Sequence, residues 1–182
     1  HSSQNEQDSR FYASFAIIPA LEPSDQQEAY DMGAYGFALS EKLGLPVMVR
    51  MVTRLAHSRA VVEVEGNAAA ENQLSYPQKA RQWVLMPGNS RVRYRELLAQ
   101  KDDMERLSEE SPFNRLIPGT DTRIGILASG IAYNYVNEAF AGRCPFPVLK
   151  ISQYPLPKKL VAQLADTCDA ILVIEEGQPV IE

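Results

Sequence analysis

Arg123-Ile124-Gly125-Ile126-Leu127-Ala128-Ser129-Gly130 is an apolar run closed by Ser-Gly, and Ile131-Ala132-Tyr133-Asn134-Tyr135-Val136 follows at helical spacing. The first part reads as a buried strand over 123–128, with Ser129-Gly130 as a tight turn and Ser129 capping the helix. Ile131, Tyr135, Val136, Ala139 and Phe140 form the apolar side of that helix. The pattern then repeats. Pro147-Val148-Leu149-Lys150-Ile151 predicts a second strand, Pro157 to Ala165 a second helix, and Ala170-Ile171-Leu172-Val173-Ile174-Glu175 a third strand. Spacers this short between apolar strands imply parallel βαβ units with right-handed crossovers. Gly177-Gln178-Pro179-Val180-Ile181-Glu182 reads as the first turn of another helix, with Pro near its start.

The first third carries the same pattern. Phe15-Ala16-Ile17-Ile18 predicts a strand closed by Pro19. In Ser24-Asp25-Gln26-Gln27, Ser24 is the expected N-cap of a capping box, and Ala29, Met32, Gly36 and Leu43 keep helical spacing to a C-cap at Gly44. Gly33 and Gly36 are costly inside a helix, so both are read as points of close approach to a sheet. Pro46 to Val52 predicts an interior strand of a parallel sheet. Val61 to Gly66 ends this pattern, and Asn67 to Gln78 is small and polar with little periodicity. After Pro87-Gly88-Asn89, Ser90 to Glu110 predicts one charge-rich, largely solvated helix with Val92, Leu97, Leu98, Met104 and Leu107 as its apolar stripe, stopped by Ser111-Pro112. The fold class is therefore α/β, with two parallel-sheet βαβ units.

The 182 residues suffice for one domain or two small ones, and 45% hydrophobic with 23% charged residues is ordinary globular composition. A net charge of −5 without a basic stripe argues against a nucleic-acid surface. Apolar runs such as Ile124 to Leu127 and Ala170 to Ile174 fall far short of the roughly 20 residues of a membrane span. The polar N-terminus has no signal pattern, so a cytoplasmic setting is expected. Cys144 and Cys168 are too few for a disulfide framework or for the four thiolates of a 4Fe–4S cluster.

Four places could carry chemistry. At Gly125 to Gly130 an anion could rest on a helix N-terminus, but the spacing matches neither the dinucleotide fingerprint nor the phosphate loop. In Thr53-Arg54-Leu55-Ala56-His57-Ser58-Arg59, the His–Ser neighbours and arginines invite a nucleophile or anion-binding reading, and Arg54 and His57 follow a strand, where open α/β sheets line their crevice. Asn5, Gln7, Asp8 and Arg10 belong to a polar run that by itself reads as a disordered terminus, but they precede a strand-like run, as an active-site loop would. Glu175-Glu176 ends a strand before the expected last helix, and a helix-dipole role is the natural one.

Several long, ordered motifs resemble one family. They are Ser2-Ser3-Gln4-Asn5-Glu6-Gln7-Asp8-Ser9-Arg10-Phe11-Tyr12, Leu21-Glu22-Pro23-Ser24-Asp25, Gln27-Glu28-Ala29-Tyr30-Asp31, Thr53-Arg54 with His57-Ser58, and Gly125 to Val136. Tyr154-Pro155-Leu156-Pro157 and Val173 to Glu182 complete the set. Together they resemble the large (alpha) subunits of indolepyruvate ferredoxin oxidoreductase, a 2-oxoacid:ferredoxin oxidoreductase, over nearly the whole chain. The likeness is weakest from Gly66 to Gln78.

The resemblance implies an interior fragment. Residues 1–66 correspond to the C-terminal half of a pyrimidine-binding thiamine diphosphate domain, 67–118 to a linker with a charged helix, and 119–182 to an incomplete transketolase C-terminal-like domain. It implies oxidative decarboxylation of arylpyruvates by the intact enzyme, with thiamine diphosphate, magnesium, a 4Fe–4S cluster, coenzyme A, ferredoxin and a smaller (beta) subunit. Pyruvate and branched-chain oxoacids are the alternative substrates. The substrate-side loop maps onto Asn5, Asp8 and Arg10, with Arg54 and His57 as further candidates, and no catalytic or metal-ligating residue carries over. The glutamate that activates the aminopyrimidine, the Gly-Asp-Gly…Asn motif and the ferredoxin cysteine run are not in this sequence. The chain alone is therefore expected to bind no cofactor, and unpaired sheet edges to make it self-associate into a homo-oligomer. A non-catalytic α/β scaffold and a small-anion module at Ser129-Gly130 are the competing readings.

Overall fold

The computed structural model describes residues 7–64 and 83–182. The stretch 67–78 and the start of the polar N-terminal run, Asn5 included, lie outside the described residues.

The apolar run at 124–128 forms the centre of the larger sheet. β4 (Gly125–Ser129) is buried throughout and pairs in parallel with β5 (Val148–Ile151) on one side and β7 (Ile171–Ile174) on the other. Alternate residues serve opposite faces. Leu127, Leu149 and Ile151 pack with Leu164 of α7 (Lys158–Thr167), whereas Ile126, Ala128 and Val148 pack with Val136 of α6 (Ala132–Ala139). The two crossovers thus cover opposite faces and diverge at the C-terminal end of β4, a topological switch point.

A second sheet has the order β2-β1-β6. β1 (Ala20–Leu21) and β2 (Met48–Val49) are parallel and joined through α2 (Gln26–Leu43), while β6 (Gln153–Tyr154) is antiparallel to β1. One apolar cluster joins the sheets: Ala13 of α1 (Ser9–Ala16), Ala20 and Tyr154 pack with Leu127 and Leu149. Both sheets are mixed, not parallel as expected, because β6 and β3 (Arg115–Ile117, antiparallel to β5) add edges of two and three residues. Such strands are too short to show alternation in a sequence.

Other expectations are corrected. Residues 15–18 do not form a strand: Asp8 caps α1, Ile17 closes it with left-handed backbone, and β1 begins after Pro19. A four-residue apolar run cannot by itself separate helix end from strand. The N-cap of α2 is Asp25, whose carboxylate accepts from the Glu28 amide, and Ser24 instead donates its amide and hydroxyl to Glu28 Oε2 at 2.9 and 2.8 Å. Gly44 is the left-handed C-cap as expected. Gly36 lies close to the sheet, a Cβ there standing 3.4 Å from Leu21, but Gly33 has open space beside it. Of residues 46–52 only Met48–Val49 pair as a strand, and the chain turns at Val52 into α3 (Thr53–His57). The charged helix is two, α4 (Pro87–Ala99) and α5 (Lys101–Glu109), separated at Gln100, whose Nε2 donates to the Leu43 carbonyl. α4 buries nothing, while α5 buries Met104 and Leu107 against Leu39 and Leu43 of α2. Residues 175–182 form bends and no helix.

A buried ion pair ties α2 to the larger sheet. Lys150, on β5 and 0% exposed, binds Glu28 of α2, and its ammonium lies 5.2 Å from the Tyr133 ring centroid. Burial acts to raise the Glu28 carboxyl, but the Lys150 charge and the Ser24 donors outweigh it and hold it below the usual range. Its contribution is therefore present above the ordinary carboxylate range and is lost as pH falls through the lowered value. Lys150→Met alone should cost about 3 kcal/mol, because it leaves a buried carboxylate unpaired, and adding Glu28→Leu should recover most of that. Urea unfolding of both variants at neutral pH checks this; an equal loss in the single and double variants would contradict it.

Candidate functional site

The C-terminal ends of four strands, β1 and β2 of the smaller sheet and β4 and β7 of the larger, meet in one place. β1 is followed by Glu22, β2 by Arg50 and β7 by Glu175, while β4 ends in Ser129. Asp8 and Arg10, at the head of α1, meet these four, and Tyr154 of β6 closes the group. Arg10 is 2% exposed, Asp8 4% and Glu22 1%. Charges this deep persist only when paired and hydrogen-bonded.

Arg10 is the hub. Its Nε and Nη2 donate to Asp8 at 2.5–3.1 Å, and Nη1 to Glu175 Oε2 at 2.9 Å, Ser129 Oγ at 3.2 Å and the Tyr154 hydroxyl at 3.4 Å. Nη2 also reaches the carbonyls of Glu176 and Gln178 at 3.2 and 2.9 Å. Five N–H groups are thereby committed to surrounding acceptors. Arg50 binds Glu22 through Nη1, lies 3.5 Å from Asp8 through Nε, and donates to the Glu176 carbonyl at 3.0 Å. Tyr154 donates to Glu22 Oε2 at 2.8 Å. The Glu175 carboxylate accepts the amides of Val180 and Ile181 at 3.1–3.3 Å, which wraps residues 176–181 over the cluster.

Two glycines make this possible. Gly130 (φ +47°) lies where a Cβ would stand 2.5 Å from Glu22 Cγ, and Gly177 (φ +108°) where one would stand 2.6 Å from Asp8 Oδ2. A side chain at either position would meet both strained backbone and an occupied space.

Three carboxylates face two guanidiniums here, so one negative charge is in surplus. Burial acts to raise Asp8, but hydrogen bonds from Arg10 and the charge of Arg50 hold it below the usual range. Glu22 is the deepest carboxylate, and there burial wins: its carboxyl is pushed up despite Arg50 and Arg10. Burial also pushes the Tyr154 phenol up, which keeps it a donor.

The sequence candidates divide between interior and surface. Asp8 and Arg10 lie at the heart of the cluster. Arg54 is exposed and stacks over the Tyr135 ring, 5.4 Å from its centroid, and the Tyr135 hydroxyl donates to Glu176 Oε2 at 3.3 Å. Arg54 thus flanks the cluster from outside. His57 is exposed at the end of α3 and is not hydrogen-bonded to Ser58, which binds the Leu55 carbonyl and Gln26 instead. The nucleophile pairing is therefore absent among the described contacts. Asn5 lies outside the described residues. The anion reading of Ser129-Gly130 is corrected too: the Gly130 amide donates to the Ile151 carbonyl at 2.9 Å, Glu22 fills the space beside Gly130, and Ser129 accepts from Arg10 and does not cap α6. Glu175 and Glu176 serve the cluster, since no helix follows them. Among the described residues no group of three His, Cys, Asp or Glu is disposed to hold a metal, and no helix is long and apolar enough to cross a membrane.

A carboxyl raised on folding makes the native state bind more protons, so stability falls as pH rises from the ordinary glutamate value of 4.5 upward. Glu22→Gln removes that dependence. The stability of wild type minus variant should therefore decline as pH rises above the ordinary glutamate range, as followed by urea unfolding. A difference that grew with pH above that range would reverse the assignment.

No protein-family model matches the chain. Over its whole length it is 39% identical to the indolepyruvate oxidoreductase subunit IorA of Methanothermobacter thermautotrophicus, 38% to that of Pyrococcus horikoshii and 37% to that of Archaeoglobus fulgidus. It spans 30%, 29% and 30% of those proteins respectively. The resemblance carried by the motifs is thus matched by an alignment over the whole chain: the chain is similar to a segment of indolepyruvate oxidoreductase subunit IorA and spans about three tenths of the length of these relatives.

Proposed function

We propose that this chain is the scaffold segment of the large subunit of a 2-oxoacid oxidoreductase acting on indolepyruvate and related arylpyruvates. The similarity to subunit IorA over the whole chain carries this reading. In the intact enzyme the reaction would be oxidative decarboxylation to an acyl-coenzyme A, with ferredoxin as acceptor and a smaller subunit as partner. Residues 1–66 would belong to the pyrimidine-side domain and 119–182 to the transketolase C-terminal-like domain, with 67–118 as the linker.

Thiamine diphosphate supplies the carbanion chemistry of such enzymes when bound. The described residues do not fit it. The switch-point crevice is filled by Glu22 against Gly130, the guanidinium of Arg10 is fully engaged, and the three carboxylates face arginines and not an open position. The cofactor, its magnesium and the 4Fe–4S cluster would accordingly be held by other parts of the longer subunit. Asp8 and Arg10 would act by positioning, whereas the exposed Arg54 and His57, with Asn5, would supply contacts on the substrate side.

The internally filled crevice equally favours a second reading, a non-catalytic docking scaffold. One measurement tests the feature both readings share, and a second separates them. Titration calorimetry of the 182-residue chain with thiamine diphosphate and magnesium should show no binding; micromolar affinity would overturn the scaffold assignment. In the longer subunit with its partner, Arg54→Ala should raise KM for indolepyruvate by about tenfold with kcat little changed, the mark of lost ground-state binding. An unchanged KM would remove Arg54 from the substrate side.

A further inference from the structure

Outside the ion cluster, a cavity of about 420 Å³ opens between α1, α5, the start of α7 and residues 180–181. That is within the range of small-molecule sites. Ala13, Ile17, Met104, Leu156 and Ile181 give it apolar walls. Arg10 and Tyr154 reach its inner end, but their polar atoms are already engaged with Asp8, Glu22, Glu175 and Ser129. A charged group pushed inward would lose its water and gain no partner, so the inner end suits an apolar group.

The rim differs. Lys158 and Glu105 are bound to each other at 2.6 Å. Lys101 and Asp102, both exposed at the first turn of α5, line the same cavity and have no ion-pair partner among the described residues. A cation and an anion, neither closed in a direct ion pair although Asp102 also feels the charge of Lys158, therefore stand together over an apolar chamber.

We propose that this cavity binds a free α-amino acid with a large apolar side chain, the side chain entering between α1 and α5 while the ammonium and carboxylate meet Asp102 and Lys101. The inference is independent of the reading as an oxidoreductase segment. The arrangement discriminates by head group. An amine lacking the carboxylate would forgo Lys101, an acid lacking the ammonium would forgo Asp102, and a small or polar side chain would leave the chamber unfilled.

Calorimetry and thermal shift on the 182-residue chain with phenylalanine, phenethylamine, 3-phenylpropionate and glycine test it. Phenylalanine should bind and raise Tm, the two single-charge analogues should each bind about threefold more weakly, as suits solvent-exposed ion pairs, and glycine should not bind. Lys101→Ala should weaken phenylalanine and 3-phenylpropionate but leave phenethylamine unaffected, and Asp102→Asn should do the converse. Ser14→Trp, an exposed position on the cavity wall, should block all three while leaving the circular dichroism melt of the free protein unchanged. Absence of phenylalanine binding at millimolar concentration, equal affinity for all three aromatic ligands, or binding that survives Ser14→Trp would each overturn the proposal.

Discussion

The guanidinium of Arg10 is the constraint on which this architecture depends. Placed at the head of α1 and almost wholly buried, it binds Asp8 beside it, Ser129 at the end of β4, Glu175 at the end of β7 and Tyr154 on the strand that joins the smaller sheet. Three of these acceptors are held elsewhere too: Asp8 by Arg50 and the Gln178 amide, Tyr154 by Glu22, and Glu175 by the amides of Val180 and Ile181. A planar group with five donors can satisfy such a ring of acceptors at once, which a lysine could not.

That arrangement also explains what occupies the switch point. Open α/β sheets commonly receive ligands at the carboxyl ends of their strands, where the crossovers diverge. Here Glu22 enters from the neighbouring sheet, Gly130 leaves it room, and the space is used to join two sheets. The cost is one surplus negative charge, borne by Glu22, whose carboxyl burial pushes up. Lys150 and Glu28 make a second, separate tie between α2 and the larger sheet. The two ties use opposite charge orders: in one the sheet supplies the cation, in the other a carboxylate.

Much of this was legible in the sequence, and the limits are physical. β4, β5, β7, α6 and α7 were visible because buried strands and amphipathic helices of four residues or more repeat their periods. β1, β3 and β6 are two or three residues long and leave no such trace. Residues 15–18 misled because an apolar helix end and a short strand look alike. Asp8 and Arg10 were found as candidates through the motif they share with a family. Glu22 and Arg50 were not, and Glu175 was assigned to a helix dipole, yet each is a charge set immediately beyond an apolar strand, in Leu21-Glu22, Val49-Arg50 and Ile174-Glu175. That repeated placement was the available signal. Lys150, a lone charge inside Val148–Ile151, was another.

The central claim is that Arg10 joins two sheets into one cooperative unit. Native-state hydrogen exchange of wild type and Arg10→Met tests it most directly. The account expects the amides of Glu22 and Arg50 in the small sheet and of Ile126 and Gly130 in the large one to open with a common free energy in wild type. In the variant the first pair should open independently and more readily than the second. A variant in which all four still open together would contradict it.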